Sequence, residues 1–491
     1  MSTKPLRTIS ALDVSAEQLQ EIAREATNLV HEYFNSVATR GVVAHHNFAG
    51  KTRELINASL EPKGVPLEQL IEECRTIFDH SRHNGHPRFF GYVASPATAI
   101  GAYSDLIASA LNANITCWRS GPAGTEIEQL VVSWLGTLIG YDDDAKGLLT
   151  SGGSMANLIA LLAASRRKSG KDTASKGLWN SGTPLTVYAS EEVHMSIPKA
   201  ADILGIGRDQ VRTVAVDDQL RMDVNALRTR IREDLKNGLR PFCIVGSAGT
   251  VNTGVVDPLA EIAVVAAEFD LWFHVDGAYG APGVLDPAKK DLFYGLTLAD
   301  SVSLDPHKWL YVPVDAGCLL FRDDFVVRPA FNTDEADYIK VHGLVDDETF
   351  AYWDYGIELS RRFRALKVWL TLRYYGADRI AEAISEDIAL AHYFGETVAA
   401  ADDFELVAPV ELSICCFRFV PPGLKNEPEL DQLNQKILAG IQKDGRAYVS
   451  NATVKGKFAL RACITNFRTT KTDIDKTIDV VREIAKKVMA N

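Results

Sequence analysis

The sequence has few of the features that mark secreted or metal-stapled chains. Only seven of its 491 residues are cysteine, an odd number, and none of them form a CxxC pair. A disulfide framework is therefore not predicted. Several lie in apolar runs, such as Cys243 and the neighbours Cys415 and Cys416, and we interpret them as reduced core thiols in a reducing compartment.

Long apolar runs and basic runs are also missing. No stretch approaches the roughly 18 apolar residues of a membrane helix, and residues 1–10 lack the apolar core of a signal peptide. The 52 basic and 64 acidic residues leave a net charge of −12, with no basic run that could follow a phosphate backbone or an anionic membrane. We therefore expect a cytoplasmic protein that binds neither nucleic acid nor membrane.

With 46% hydrophobic residues, the chain can bury a full core in about two to four structural units. From about Ser15 to Leu60 the pattern is helical, with apolar residues such as Leu19, Ile22 and Leu29 at spacings of three and four. This apolar stripe precedes the main body and needs a partner surface. A symmetric homodimer is the expected answer.

The middle of the chain alternates predicted helices and strands. The predicted strands are Leu185 to Ala189, Phe242 to Val245, Leu271 to Val275, Ser301 to Leu304 and Cys318 to Phe321. Helical patterns lie between them, and another precedes them at Ser154 to Lys168. Such alternation predicts an α/β fold with a mostly parallel sheet, helices on both faces, and ligand sites at the strand ends.

The tail has a different layout. A long apolar helix, Ala365 to Tyr375, leads to a strand, a helix, a two-strand run and a last helix, predicted at Ser413 to Phe419, Leu430 to Gln442, Ala447 to Ile464 and Thr472 to Met489. We therefore predict an N-terminal helical dimerisation segment (1–98), a large α/β domain (99–380) and a small C-terminal α+β domain (381–491).

Two predicted strand ends carry residues suited to chemistry. Lys308 follows the strand that begins at Ser301, and a lysine there can be a nucleophile for a carbonyl cofactor if its surroundings lower its pKa; otherwise it is a surface lysine. Asp276 ends another strand among apolar neighbours. A buried carboxylate needs a positive partner, such as a protonated pyridine nitrogen, although an acid that caps the following turn would explain it too.

Two further positions suit a bound cofactor. The turn Thr150-Ser-Gly-Gly-Ser154 precedes a helix, whose N-terminus favours a phosphate; there Gly153 allows close approach and Ser154 adds a hydroxyl. A helix N-cap without a ligand fits the same residues. His194 follows a strand and can stack its imidazole on an aromatic ring, or it can be an ordinary loop histidine.

Taken together, these residues resemble a known family. The glycine turn, His194, Asp276 and His307-Lys308 follow one another at gaps of roughly 40, 80 and 30 residues. This order resembles fold type I pyridoxal-phosphate (PLP) enzymes, and specifically the group II amino-acid decarboxylases, which include the aromatic-amino-acid and glutamate decarboxylases. The resemblance extends over roughly residues 15 to 485 and includes the segments His86 to Tyr92, Trp134 to Gly136 and Arg361 to Lys367.

The resemblance implies a PLP cofactor in the large domain and no metal ion. Lys308 would hold the cofactor as a Schiff base, and Asp276 would keep its pyridine nitrogen protonated. The other implied contacts are Ala278 beneath the ring, His194 on its face, Gly153, Ser154 and His307 on the phosphate side, and Thr250 near the rim.

The stretch Asn332 to Gly356 is long and charged, which is typical of a mobile lid loop. The resemblance aligns Tyr352 with the loop tyrosine that family members use as a proton donor. Tyr338 and His194 are alternative donors. Tyr352 could also serve only to pack the loop shut.

Phe90, Tyr92 and Trp118 resemble the substrate pocket of the aromatic branch, which implies Trp, Tyr, Phe or a relative as substrate. The sequence departs from that branch at Thr116, where a large aromatic is usual, and at Asp305, where many members have Asn.

The expected reaction is decarboxylation to the amine and CO₂, by a homodimer with its active sites at the interface. An aldehyde synthase, an acidic-amino-acid decarboxylase using Arg88 or Arg119, and a transaminase remain alternatives.

Overall fold

A computed structural model describes residues 12–43, 52–54, 56, 60, 62–170, 173–178, 182–331 and 346–490. Its longer helices are Ala16–Ser36, Leu67–Asp79, Ala99–Leu111, Pro122–Leu138, Gly153–Ser169, Ser196–Ile203, Val224–Lys236, Leu259–Glu268, Asp324–Phe331, Arg364–Ala399, Glu427–Asp444 and Lys471–Met489. Thr173–Lys176 and Pro306–Trp309 are single turns. Within these ranges, no helix is long and apolar enough to cross a membrane.

Two sheets organise the described part of the chain. The strands are β1 (Phe89–Phe90), β2 (Lys146–Thr150), β3 (Leu185–Ser190), β4 (Val211–Val214), β5 (Arg240–Ser247), β6 (Trp272–Asp276), β7 (Ser301–Leu304), β8 (Gly317–Phe321), β9 (Phe404–Leu406), β10 (Ile414–Phe419), β11 (Tyr448–Val454) and β12 (Lys457–Cys463). The larger sheet has seven strands in the order β2-β8-β7-β6-β5-β3-β4, and the smaller has five in the order β1-β11-β12-β10-β9.

The larger sheet confirms the predicted α/β class. β7, β6, β5, β3 and β4 pair in parallel, and only β8 runs against its neighbours. Its five inner strands, β3, β5, β6, β7 and β8, are almost fully buried, as expected for a sheet covered by helices on both faces. Because parallel strands end at one edge, the residues that follow β5, β6 and β7 lie close together there.

The smaller sheet joins the two ends of the chain. Phe89 and Phe90 pair in parallel with Tyr448 and Val449, so an N-terminal segment extends the C-terminal antiparallel sheet. The predicted helix from Ala365 is confirmed, and its predicted end coincides with a break at Gly376, whose φ of +76° is left-handed and favours glycine. The boundaries at 98 and 380 stay a prediction.

The N-terminal prediction was wrong in its extent. The helix ends at Ser36 instead of continuing towards Leu60, and turns and bends occupy residues 37–43. There the backbone turns to other partners: the Val42 N–H donates to the Gly445 carbonyl at 2.8 Å, and the Val42 carbonyl accepts from the His83 N–H at 2.9 Å. Contacts with the C-terminal sheet region therefore end a pattern that looked helical in the sequence.

A buried ion pair fastens the helix Pro122–Leu138 to the large sheet. Glu128 accepts from Arg361 at 2.5 Å and from the Leu149 backbone at 2.9 Å, and neither charged side chain is more than 2% exposed. Arg361 also donates to the carbonyl groups of Ile115 and Leu149. Because water cannot replace these partners, loss of one charge leaves the other buried and uncompensated.

We expect Glu128→Gln to lower the free energy of unfolding by about 3 kcal/mol or more, the usual result of breaking a buried pair. Glu268→Gln is the matched control, because Glu268 bonds Arg228 and Arg232 at the surface, where such pairs contribute about 1 kcal/mol or less. Urea unfolding of both variants checks this. Equal destabilisation would contradict the role given to the buried pair.

Candidate active site

A cavity of about 540 Å³ lies at the carboxyl end of β5, β6 and β7. It is closed on one side by residues of the smaller sheet, including Ser450 and Arg461. The cavity brings together every residue for which the sequence predicted a cofactor contact: Gly153, Ser154, His194, Thr250, Asp276, Ala278, His307 and Lys308. Tyr92, predicted for the substrate pocket, lines it too.

Lys308 sits on the single turn after β7, where its Nζ lies 2.9 Å from Oδ2 of Asp305. Desolvation in the cavity lowers the pKa of the lysine, but the negative charges of Asp305 and Asp276 outweigh it and leave the pKa above its ordinary value. The sequence had suggested surroundings that lower this pKa. The protein as described instead holds Lys308 as an ammonium group, because two carboxylates face it.

Asp276 is the best-supported anion of the cavity. One carboxylate oxygen accepts from Asn157 at 2.8 Å; the other accepts from the Ser303 hydroxyl at 3.0 Å and the Ala278 N–H at 3.2 Å. Burial raises the pKa of this carboxyl, but the charge of Lys308 and the donors outweigh burial, and the pKa lies below its ordinary value. Asp276 is therefore charged at neutral pH.

His194 shares a hydrogen-bond chain with Asp276. Its Nδ1 lies 2.8 Å from the Ser196 hydroxyl and 3.2 Å from the Ser196 N–H, and Asn157 donates to that same hydroxyl at 2.8 Å. Burial lowers the pKa of His194. Because Nδ1 accepts from the backbone, we assign the ring as neutral with its proton on Nε2.

The glycine turn is built for close approach. A side chain at Gly153 would bring its Cβ within 2.8 Å of the Cβ of Ala278, so only glycine lets the turn pack here. Gly153 begins the helix Gly153–Ser169, whose first N–H groups lack partners within the helix and suit a phosphate. The ring of His307, in the same cavity, is oriented by a 2.8 Å contact between Nδ1 and the Ala316 carbonyl.

These residues fit PLP. The buried Asp276 carboxylate would face the pyridine nitrogen, the glycine turn and His307 would hold the phosphate, and Lys308 supplies the amine for a covalent bond to the aldehyde. The fit rests on a charged, fully hydrogen-bonded carboxylate in an otherwise enclosed site. Such a group is unfavourable unless it meets a cation.

Three predicted site residues do not line this cavity. Tyr352 is fully buried beneath Arg361, whose guanidinium carbon lies 3.9 Å from the ring centre, and its hydroxyl has no partner among the described residues. Phe90 packs in the core of the smaller sheet. Trp118 donates to Glu126 at 2.7 Å. The roles of these three residues stay predictions, and the alternative donor Tyr338 lies outside the described residues.

The loop prediction is only partly covered. Residues 332–345, including Gly343, lie outside the described residues, and the remainder forms the short 3-10 turns Asp346–Thr349 and Tyr352–Asp354. Tyr352 donates its N–H to the Thr116 carbonyl at 2.9 Å, and Trp118 donates to Phe350 at 3.0 Å. The end of the loop is thus tied to the segment that contains Trp118.

Sequence reasoning missed two residues that shape the site. Asn157 links Asp276 to both His194 and His274, and it is a fully buried amide on the first turns of its helix. Arg461 in β12 is 3% exposed and donates to the carbonyl groups of Tyr92, Val251 and Asn252. An arginine inside an apolar strand is unusual, so the sequence could have indicated Arg461. Arg461 lines the cavity, whereas the predicted Arg88 does not line it and is bound by Asp473.

Comparisons with known proteins agree with this geometry. Residues 49–420 match the pyridoxal-dependent decarboxylase conserved domain. The chain is 34% identical to an aromatic-L-amino-acid decarboxylase of Bacillus atrophaeus, over 97% of each chain. It is 30% identical to a 4-hydroxyphenylacetaldehyde synthase of Rhodiola rosea, over 99% of this chain and 98% of that one.

Among solved structures, the TDC of Oryza sativa with PLP and tryptamine is similar, with a TM-score of 0.90 and 28% identity over 98% of this chain and 100% of that one. The match to the family covers most of the chain, and the cavity holds an amine, a carboxylate and a glycine turn that fit PLP. The chain therefore belongs to the pyridoxal-dependent decarboxylase family, and the enzyme is a PLP-dependent carboxy-lyase.

Proposed function

We propose that the enzyme decarboxylates an aromatic L-amino acid, such as Trp, Tyr or Phe, to the amine and CO₂, as a cytoplasmic homodimer. The observation that carries the substrate class is an aromatic wall in which Tyr92 lines the cavity and the buried rings of Phe89 and Tyr448 pack behind it. Tyr92 lines the cavity, its ring centre lies 6.0 Å from that of Tyr448, and Phe89 stacks on Tyr448 at 5.2 Å. Flat apolar side chains pack well against such rings.

A cation holds this wall in place. The guanidinium carbon of Arg82 lies 4.9 to 5.4 Å from the ring centres of Phe89, Tyr92 and Tyr448, and the hydroxyls of Tyr92 and Tyr448 are 3.1 Å apart. The rings therefore have little freedom to move when a ligand binds. A preformed wall favours substrates whose side chains match it.

The cofactor and the chain's own residues have different roles in the reaction. PLP, when bound, accepts the electron pair that loss of the carboxylate leaves on the α-carbon. Asp276 keeps a negative charge where the pyridine nitrogen would lie, and Asn157, Ser303 and the Ala278 N–H fix its position. Lys308 would hold the cofactor through its amine, at the place where the substrate amine must bind.

A proton must then return to the α-carbon. Within this cavity we propose His194 as the group that delivers this proton. Ser196 binds its Nδ1, which leaves the Nε2–H outside that pair of hydrogen bonds. Tyr352, the other predicted donor, would have to leave its buried place under Arg361.

The homodimer proposal rests on surfaces that this chain leaves uncovered. The helix Ala99–Leu111 exposes Leu106, Ile107 and Leu111, each more than half accessible to solvent. The neighbouring Trp118 lies outside its own chain's cavity and is only half-buried. We propose that this segment completes the cavity of the partner. The cytoplasmic proposal rests on seven free cysteines, which fit a reducing compartment.

A second candidate is an acidic amino acid as substrate. Arg461 lines the cavity, and its Nη2 is buried without a partner among the described residues. This nitrogen can donate a hydrogen bond to the side-chain carboxylate of such a substrate. The aromatic wall and the three backbone carbonyls that already engage Arg461 favour a structural role for this cation. Turnover of glutamate or aspartate would instead favour a substrate-binding role for Arg461.

The PLP-loaded enzyme is incubated separately with each of the twenty amino acids, dopa and 5-hydroxytryptophan. At least one aromatic substrate should give one mole of amine per mole of CO₂. Lys308→Ala is the control and should give none. Aldehyde, ammonia and peroxide in equal amounts would identify an oxidative aldehyde synthase instead. A requirement for a keto acid would identify a transaminase.

Tyr92→Ala should raise the KM for the best aromatic substrate by roughly 3- to 10-fold, the equivalent of the 0.5 to 1.5 kcal/mol typical of a ring–ring contact, with a smaller effect on kcat. Tyr92→Phe keeps the ring and loses only the contact between hydroxyls, so its KM should stay close to that of the unchanged enzyme. Steady-state kinetics measures both. An unchanged KM in Tyr92→Ala would remove the basis for an aromatic pocket.

If the sites are shared, a hybrid dimer should regain activity. Lys308→Ala and Trp118→Arg subunits, each inactive alone, are co-expressed with different tags and purified as the hybrid. One of its two cavities then has both native residues, so we expect about half of the native activity. The arginine can still donate to Glu126, which limits local disruption. No recovery would mean that each cavity is built from one chain.

A further inference from the structure

Asp305 makes a contact that the proposed chemistry does not use. It stands at the carboxyl end of β7, three residues before Lys308, and its Oδ2 accepts from the lysine Nζ at 2.9 Å. The residue is 1% exposed. The pair is therefore a short, shielded ion pair inside the cofactor cavity, where charges interact more strongly than at the surface.

Lys308 is the main partner of the Asp305 carboxylate. No described residue donates to its Oδ1, which is buried. The Nε2 of His307 lies 3.9 Å from Oδ2. Gly153 makes room for the carboxylate, since a Cβ at that position would come within 3.1 Å of Oδ2. An asparagine would fill the same space without the charge.

Two carboxylates face Lys308, and they differ in their other partners. Asp276 has three donors of its own and would face the pyridine nitrogen of the cofactor. Asp305 has the direct contact with Nζ. The other titratable or charged groups near Lys308 are His194 and His307 on the same side of the cavity, and Cys463 and Arg461 from the smaller sheet.

We propose that Asp305 is a positioning residue that keeps the Lys308 nitrogen protonated, both as the free amine and in its covalent bond to PLP. Formation of the bond between Lys308 and the cofactor aldehyde would release one water, and the carboxylate of Asp305 would remain three residues from the bonded lysine. A negative charge at this distance favours the positively charged form of that nitrogen. The protonated form is the one that a substrate amine attacks most readily, so Asp305 prepares the site for exchange.

The same contact acts after exchange. A substrate that enters as an ammonium must lose one proton before it reacts, and the released lysine amine would take up that proton and return to Oδ2 of Asp305. Held there, it stays within reach of the cofactor without competing for the aldehyde carbon. The inference rests on the proposal that Lys308 holds the cofactor, and it is independent of which amino acid is the substrate.

The test compares Asp305→Asn with the unchanged protein by two pH titrations. In the PLP-loaded protein, the absorption band of the protonated cofactor bond is followed against pH. In the cofactor-free protein, reductive methylation of Lys308 by formaldehyde is followed by mass spectrometry, because only the unprotonated amine reacts. We expect both midpoints to fall by about one pH unit or more, the usual effect of removing an opposite charge at this range.

Asp234→Asn is the matched control. Asp234 is 3% exposed and accepts from Arg212 at 3.0 Å, a similar aspartate–cation pair outside the cavity and outside the helix Ala99–Leu111. Its loss should destabilise the fold in a comparable way while both Lys308 midpoints stay unchanged. A common shift in the two variants would show that loosened packing, and not the charge of Asp305, sets the titration.

If Asp305→Asn fails to retain PLP, the methylation titration of the cofactor-free protein decides alone. If it fails to fold, Asp305→Ser takes its place, since serine also removes the charge. An unshifted midpoint in a folded variant overturns the inference. Borohydride fixation of PLP to Lys308 in the unchanged protein tests the underlying assignment separately, so failure of one can be told from failure of the other.

Discussion

The site depends on negative charge kept inside the protein. Asp276 and Asp305 are both at most 9% exposed, and a buried carboxylate is unfavourable unless it meets a cation or several donors. Asn157, Ser303 and a backbone N–H supply donors to the first, and Lys308 supplies a cation to the second. The first of these carboxylates suits a PLP-dependent carboxy-lyase, because the cofactor accepts electrons best when its pyridine nitrogen is protonated.

The parallel sheet explains why these groups meet. Asp276 ends β6, and Asp305 and Lys308 follow β7, the next strand in the sheet. Ser303 lies opposite Asp276 in the register of this pair, so the hydroxyl that bonds the carboxylate comes from the strand that also leads to the lysine. The backbone thereby fixes the relative positions of acid, hydroxyl and amine before any ligand binds.

Much of this could be predicted from sequence, because local patterns determine it. The buried strands, the glycine turn and the strand-end positions of Asp276 and Lys308 are all short-range features, and their order along the chain matched a family. Arg461 and Asn157 were missed because their roles arise from contacts more than a hundred residues away. Phe90 and Trp118 were predicted together with Tyr92 as pocket residues. In the structure, Phe90 lies in the core of the smaller sheet, because its strand pairs with β11, and this long-range pairing is not visible in the local sequence.

The cavity also depends on how the two sheets are joined, and one buried acid contributes to that junction together with the contacts of Arg461. Asp387, on the helix Arg364–Ala399, accepts from the Trp309 indole at 3.0 Å, from the Tyr311 hydroxyl at 2.7 Å and from the Asn466 N–H at 3.2 Å. Trp309 directly follows Lys308, and Asn466 follows β12, which carries Arg461.

Burial raises the pKa of Asp387 to about 7, so its donors are what allow a charge to exist there. Because this one side chain binds the lysine segment and the end of the smaller sheet together, it helps to fix the distance between Lys308 and the cavity residues Tyr92 and Arg461. The protein core therefore positions these three residues before any ligand binds.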